Sequence, residues 1–149
     1  MKSQKGSASI EMAVTMPVIL FILLGIAQFG WLLANSIAVG NAASSAARTF
    51  ASQRGTTTPY TTTLSQAKAA ASFLNQSSIT ISTSVNGVAC VDDAGCASDL
   101  APASSAAVNV PVKVSVIYSG FNPVVPGNYL NLKSMMPSQL AATVTARVQ

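Results

Sequence analysis

The hydrophobic pattern of this chain changes character three times. From Met12 to Ala34 apolar residues run almost unbroken, interrupted only by Thr15, Pro17, Gln28 and small residues. A run of about 23 residues at about 1.5 Å per residue makes roughly 34 Å of helix, enough to cross a hydrocarbon core of about 30 Å. Beyond it the apolar residues become small: Gly30, Ala34, Ala38, Ala42 and Ala46 recur at a four-residue spacing, with Ala43, Ala47 and Ala51 in a neighbouring row. Such spacing lets helix backbones approach closely, although alanine also favours helix on its own account. Arg54-Gly55 supplies a C-terminal stop. The pattern therefore predicts one helix from about Ser7 to Gln53, roughly 70 Å long, loosened in its first third by Pro17.

The threonine-rich stretch Thr56 to Thr63, with Pro59 inside it, reads as a linker. A second helix follows over Leu64 to Leu74, with Leu64, Ala67, Ala71 and Leu74 on one face and Thr63 or Ser65 as its cap. After Ser78 the period falls to two. Ile79, Ile81 and Val85 alternate with Thr80, Ser82 and Ser84; Val108 to Tyr118 alternates most clearly; Ala142 to Gln149 gives a third strand. Pro111 belongs near an unpaired strand end, since it cannot donate to a ladder. Three antiparallel strands with one apolar face need a cover, and the second half of the long helix can provide it. The expected class is α+β. Between the last two strands, Gly120 to Ser138 carries Pro123, Pro126, Gly127 and Pro137 with Phe121, Tyr129, Met135 and Met136, a long loop expected to fold onto the sheet.

Composition sharpens the membrane reading. Of 149 residues, 50% are hydrophobic and only 8% are charged, which leaves room for one modest domain beside an anchor. The net charge of +4 is scattered, with no basic run, which argues against a nucleic-acid partner. Lys2 and Lys5 precede the apolar run and the next charge after it is Arg48. The positive-inside bias then holds the N-terminus in the cytoplasm and everything after about Asn35 outside. The competing reading is a cleaved secretory signal with Ala38-Val39-Gly40 as its small-residue site; against it, the run exceeds the usual h-region of about 7 to 15 residues and carries Glu11 at its edge.

Outside the cytoplasm Cys90 and Cys96 read as a disulfide closing a turn-like loop, adding about 2 kcal/mol in the chain-entropy model. With no histidine and only Glu11, Asp92, Asp93 and Asp99 as acids, the chain offers no general acid and base pair outside one small loop, and no metal-ligand set. Asp92 and Asp93 fit a solvated turn better than a cation site. Neither an enzyme nor a cofactor is expected.

The remaining feature is Gly6-Ser7-Ala8-Ser9-Ile10-Glu11, a carboxylate at the fifth position after a glycine, at the mouth of the apolar run. An acid there costs roughly a few kcal/mol unless something offsets it. A short basic leader ending in Gly6, then Glu11 and an apolar helix, is similar to type IV prepilins. More narrowly, Glu11-Met12-Ala13 through Pro17, then Gly25 to Gly30 and the alanine-rich Asn41 to Arg48, resembles the TadE-like minor pilins or pseudopilins of the tight-adherence (Tad/Flp) pilus system. Met12, Gln28 and Trp31 stand where that family commonly has an aromatic, an acid and a basic residue.

The resemblance implies a leader at 1–6, cleaved between Gly6 and Ser7 by a prepilin peptidase, a spine helix at 7–54 and an extracytoplasmic domain at 55–149. It implies that Glu11 pairs with the freed amine of Ser7 on a neighbouring subunit. Pro17, Gly25, Gly30, Ala34, Ala38, Ala42 and Ala46 are the residues expected to serve helix packing. The partners it implies are other Tad pilins and an inner-membrane assembly platform, beside the lipid bilayer. Two alternatives stay open: a membrane-anchored envelope binding or structural protein outside any pilus, and a major pilin or type II secretion pseudopilin.

Overall fold

The structure, a computed structural model, describes residues 5–101, 109–124 and 136–148. Helix α1 runs over Lys5–Ala51 and continues through Pro17. The chain forms two compact units, one containing α1 up to Leu33 and the other beginning at Ala34.

In the second unit the remainder of α1 buries Ala38, Val39, Ala42, Ala43, Ala46, Ala47, Phe50 and Ala51, a helical stripe at spacings of three and four. After the helix, Gly55 adopts a left-handed φ of 77°, which glycine does without steric cost. Helix α2 spans Pro59–Ala70, earlier than the Leu64 start that the sequence pattern predicts. Proline at the first helical position is preorganised for helix and gives up no needed donor. The inward face is accordingly Pro59, Thr63 and Ala67, with Leu64 only half-buried; Thr63 satisfies its buried hydroxyl on the Pro59 carbonyl at 2.7 Å. The Gln76 side-chain amide donates to the carbonyls of Ala71 and Leu74, each at 3.0 Å, and so closes the chain after α2.

Among the described residues the rest is a sheet of four strands, not the three expected: β1 (Ile79–Val85), β2 (Val88–Cys90), β3 (Pro111–Tyr118) and β4 (Leu140–Arg147), in the order β2-β1-β3-β4 and antiparallel throughout. The extra strand, β2, is too short to show a period. It returns on β1 through Asn86-Gly87, both with positive φ at 50° and 85°, the geometry of a tight two-residue hairpin. The strand register stacks Thr83, Val114 and Val144, and beside them Ile81, Val116 and Ala142, on one face. Val112, Val114 and Val116 are the best-buried residues of the sheet's apolar face, and each such side chain contributes roughly 1.5–3 kcal/mol. Pro111 opens β3, and its carbonyl accepts from Asn86 N–H at 2.9 Å. Val108 and Gln149, expected in strands, lie outside the described residues, as do residues 125–135 of the loop expected over Gly120 to Ser138; Phe121, in the described part of that segment, is buried.

A second element absent from the sequence reading is helix α3, Asp93–Leu100, where a turn-like loop is expected. Its two leading aspartates start two different helices. Asp92 is the N-cap of α3 and accepts from Gly95 N–H at 2.7 Å. Asp93 reaches back to α2, accepting from the Thr61 backbone N–H at 2.9 Å and from the Thr61 hydroxyl. The α2 N-cap residue, Thr58, makes no side-chain cap of its own. Asp93 therefore supplies the missing acceptor from elsewhere in the chain, and its charge suits the positive end of the helix.

Two outcomes follow. Phe50→Ala, which empties a fully buried aromatic site, should lower the unfolding free energy of this unit by about 3–5 kcal/mol in a denaturant titration. The Thr61 hydrogen bonds hold the Asp93 carboxyl below its ordinary value of 3.8, so its contribution is complete above that pH and is lost as pH falls through the lower folded-state value. Hydrogen exchange of the first turn of α2 should stay protected down to pH about 4 and rise below it; Asp93→Asn should remove that acid transition.

Candidate functional site

The first half of α1 carries the candidate site. Every residue from Ser9 to Leu24 is exposed, including Ile10, Val14, Val18 and Phe21. These side chains point to all sides of the helix, so no single packed face can remove them from water. The segment is long and apolar enough to cross a membrane, with none of its most apolar window buried inside the protein. Among the described polar residues of α1, Gln28 and Asn35 are buried, Gln28 in the first unit and Asn35 in the second.

Gly6 and Ser7 fall within the first turns of α1. Glu11 is exposed and sits four positions, about one helical turn, after Ser7. The Thr15 hydroxyl donates to the Glu11 carbonyl at 2.9 Å, one turn back. Two positions on, Pro17 has no N–H, so the Ala13 carbonyl lacks its usual helical donor. The stretch from Glu11 to Pro17 thus stays helical, with one side-chain bond added to its ladder and one backbone donor missing, at the end of the helix where the carboxylate lies.

The small residues divide between two environments. Ala38, Ala42 and Ala46 are buried in the α+β unit, where their size serves this chain's own core. Gly25 is half-buried, and Gly30 and Ala34 are exposed. A Cβ added at Gly25 or Gly30 would meet nothing within 4 Å among the described residues.

Cys90 and Cys96 are joined by a disulfide, with their Cα atoms 5.1 Å apart, linking the end of β2 to α3. Both are buried, and beneath them the Thr83 hydroxyl donates to the Cys90 carbonyl at 2.6 Å. Among the described residues no group of three or more His, Cys, Asp or Glu is placed to hold a metal ion. Asp92 and Asp93, read from the sequence as a solvated turn, are instead the helix caps described above. The signal for β2 and its hairpin was present in the sequence as Asn86-Gly87. The Asp93 to Thr61 contact had none, since it spans 32 positions.

The sequence model of the family described as TadE-like protein matches residues 6–48, from the candidate processing glycine to the basic residue in the last turn of α1. No curated protein and no solved structure matches the chain.

A charge at the middle of the apolar run should oppose insertion. Leu20→Arg is expected to cost about 3 kcal/mol at the helix centre and to move a large share of the expressed chain from the carbonate-resistant membrane pellet to the supernatant.

Proposed function

We propose that this chain is a minor pilin, or pseudopilin, of a Tad/Flp-type pilus, held in the bacterial inner membrane by the first half of α1. The observation that carries the reading is the almost unbroken exposed apolar surface of α1, which follows the Gly6 to Glu11 segment and falls within the residues similar to TadE-like proteins. Lys2 and Lys5 orient the N-terminus to the cytoplasm, and the unit with the buried disulfide is then extracytoplasmic, where disulfides persist.

In this reading a prepilin peptidase cuts between Gly6 and Ser7. Glycine suits the cut because a residue without a side chain lets the backbone lie close in a protease cleft. Cleavage frees an amine at Ser7. Glu11 then pairs with that amine on a neighbouring subunit, so that assembly offsets the cost of a carboxylate among lipid chains. The same exposed surface that dissolves α1 in the bilayer serves in a filament as the surface for other Tad pilins, delivered by an inner-membrane assembly platform. Gly25, Gly30 and Ala34 let neighbouring helices approach there.

Coexpression with a Tad prepilin peptidase followed by mass spectrometry of the membrane form should give Ser7 as the N-terminus; an intact leader under those conditions would remove the prepilin reading. Glu11→Ala should leave cleavage largely intact and strongly reduce pilus assembly. Undiminished assembly would remove the inter-subunit pair.

A further inference from the structure

We propose that two copies of this chain associate through the outer edge of β4, extending the four-stranded sheet into a single sheet of eight. The inference rests on the α+β unit alone and stands independently of the pilus reading.

Strand β4 is an edge: its neighbour is β3 on one side, and no described strand lies on the other. Which of its backbone groups face outward follows from the register. Val148 N–H donates to the Val110 carbonyl at 3.0 Å, so the pair Val110 and Val148 is hydrogen-bonded, as are alternate pairs along the ladder: Val112 with Ala146, Val114 with Val144, Val116 with Ala142. The N–H and C=O groups of Ala141, Thr143, Thr145 and Arg147 therefore point away from β3. All four residues are exposed. Native edges are ordinarily blunted by proline, lysine or a bulge; Ala141 to Ala146 has none of these.

The sequence of this edge identifies its occupant. Ala142-Thr143-Val144-Thr145-Ala146 reads the same in both directions. An antiparallel pair centred on Val144 brings Val144 opposite Val144 of the second copy, Thr143 opposite Thr145, Ala142 opposite Ala146 and Ala141 opposite Arg147. The parity is correct. Thr143 and Thr145 both carry outward groups and become a hydrogen-bonded pair, while Val144, whose groups face β3, becomes a non-hydrogen-bonded pair, as an antiparallel ladder requires. Residues opposite each other share a face, so the threonines meet threonines on the polar side. Leu140, Ala142, Val144 and Ala146, only half-buried in the single chain, continue the apolar face on the other. The one charged residue of the edge, Arg147, lies opposite Ala141, and the two arginines are roughly 20 Å apart across the pair, beyond the screening length of about 8 Å at physiological salt.

The test uses the full chain in its membrane. At a non-hydrogen-bonded pair the Cα atoms are about 4.5 Å apart, within the range a disulfide spans, so Val144→Cys should yield an oxidised dimer on a non-reducing gel. Ala141→Cys, about 20 Å from its own copy, should yield at least about ten-fold less. In the Val144→Cys background, Thr143→Lys with Thr145→Lys sets like charges directly opposite one another and should lower cross-linking about ten-fold. Thr143→Lys with Thr145→Glu sets opposite charges there and should restore it. The restoring pair separates loss of the interface from loss of the fold. Equal cross-linking at Val144 and Ala141, or indifference to both charge pairs, means association elsewhere, such as through α1, and overturns the proposal. So does the absence of a dimer when the cysteine at position 144 reacts freely with a soluble alkylating reagent, and so does failure of the opposite-charge pair to restore it.

Discussion

Withdrawal of one face of α1 from water, between Ala38 and Ala51, is the constraint on which the α+β unit depends. A sheet with one apolar face needs a cover, and a helix whose inward residues are mostly alanine gains little per side chain. Ala42, Ala43, Ala46 and Ala47 have no exposed surface, and interiors packed to crystal-like density convert such contacts into stability through many small attractions. Phe50 is the large exception near the end of the stripe, and Val112, Val114 and Val116 are buried at the centre of the sheet.

The same helix serves two solvents. Up to Leu24 its apolar side chains face outward on every side, and from Ala38 onward one stripe faces inward. A soluble helix shows the second pattern and a membrane helix the first. That the four-residue row of small residues crosses from one regime to the other explains why its members have different uses. Ala38, Ala42 and Ala46 fill this chain's own core, while a Cβ at Gly30 would meet nothing within 4 Å among the described residues.

Around the sheet, order is imposed by contacts between distant residues. Helix α2 begins with proline and three threonines, poor helix formers apart from the first, and it lacks a local side-chain cap. Asp93 provides one from the first turn of α3. Helix α3 is in turn anchored by Asp92 at its start and by the Cys90–Cys96 disulfide to β2, a strand of three residues. None of these three short elements is self-sufficient. Each borrows a backbone partner or a covalent link from the others.

The elements legible in the sequence are those whose own period is long enough to state a face. These are α1, with its apolar run and its alanine rows, and β1, β3 and β4, with their strict alternation; together they determine the α+β class. The Gly6 to Glu11 spacing and the resemblance to TadE-like proteins likewise lie within one continuous segment, so they needed no fold to be seen. What only the tertiary structure decided is whatever depends on a partner far along the chain. The start of α2 at Pro59 rests on Asp93, the sheet's fourth strand rests on a two-residue turn and a disulfide, and the inward place of Thr83 rests on the Cys90 carbonyl across the strand. A period is local and can be read from neighbours. A hydrogen bond to a residue 32 positions away leaves no mark until the chain has folded and brought the two together.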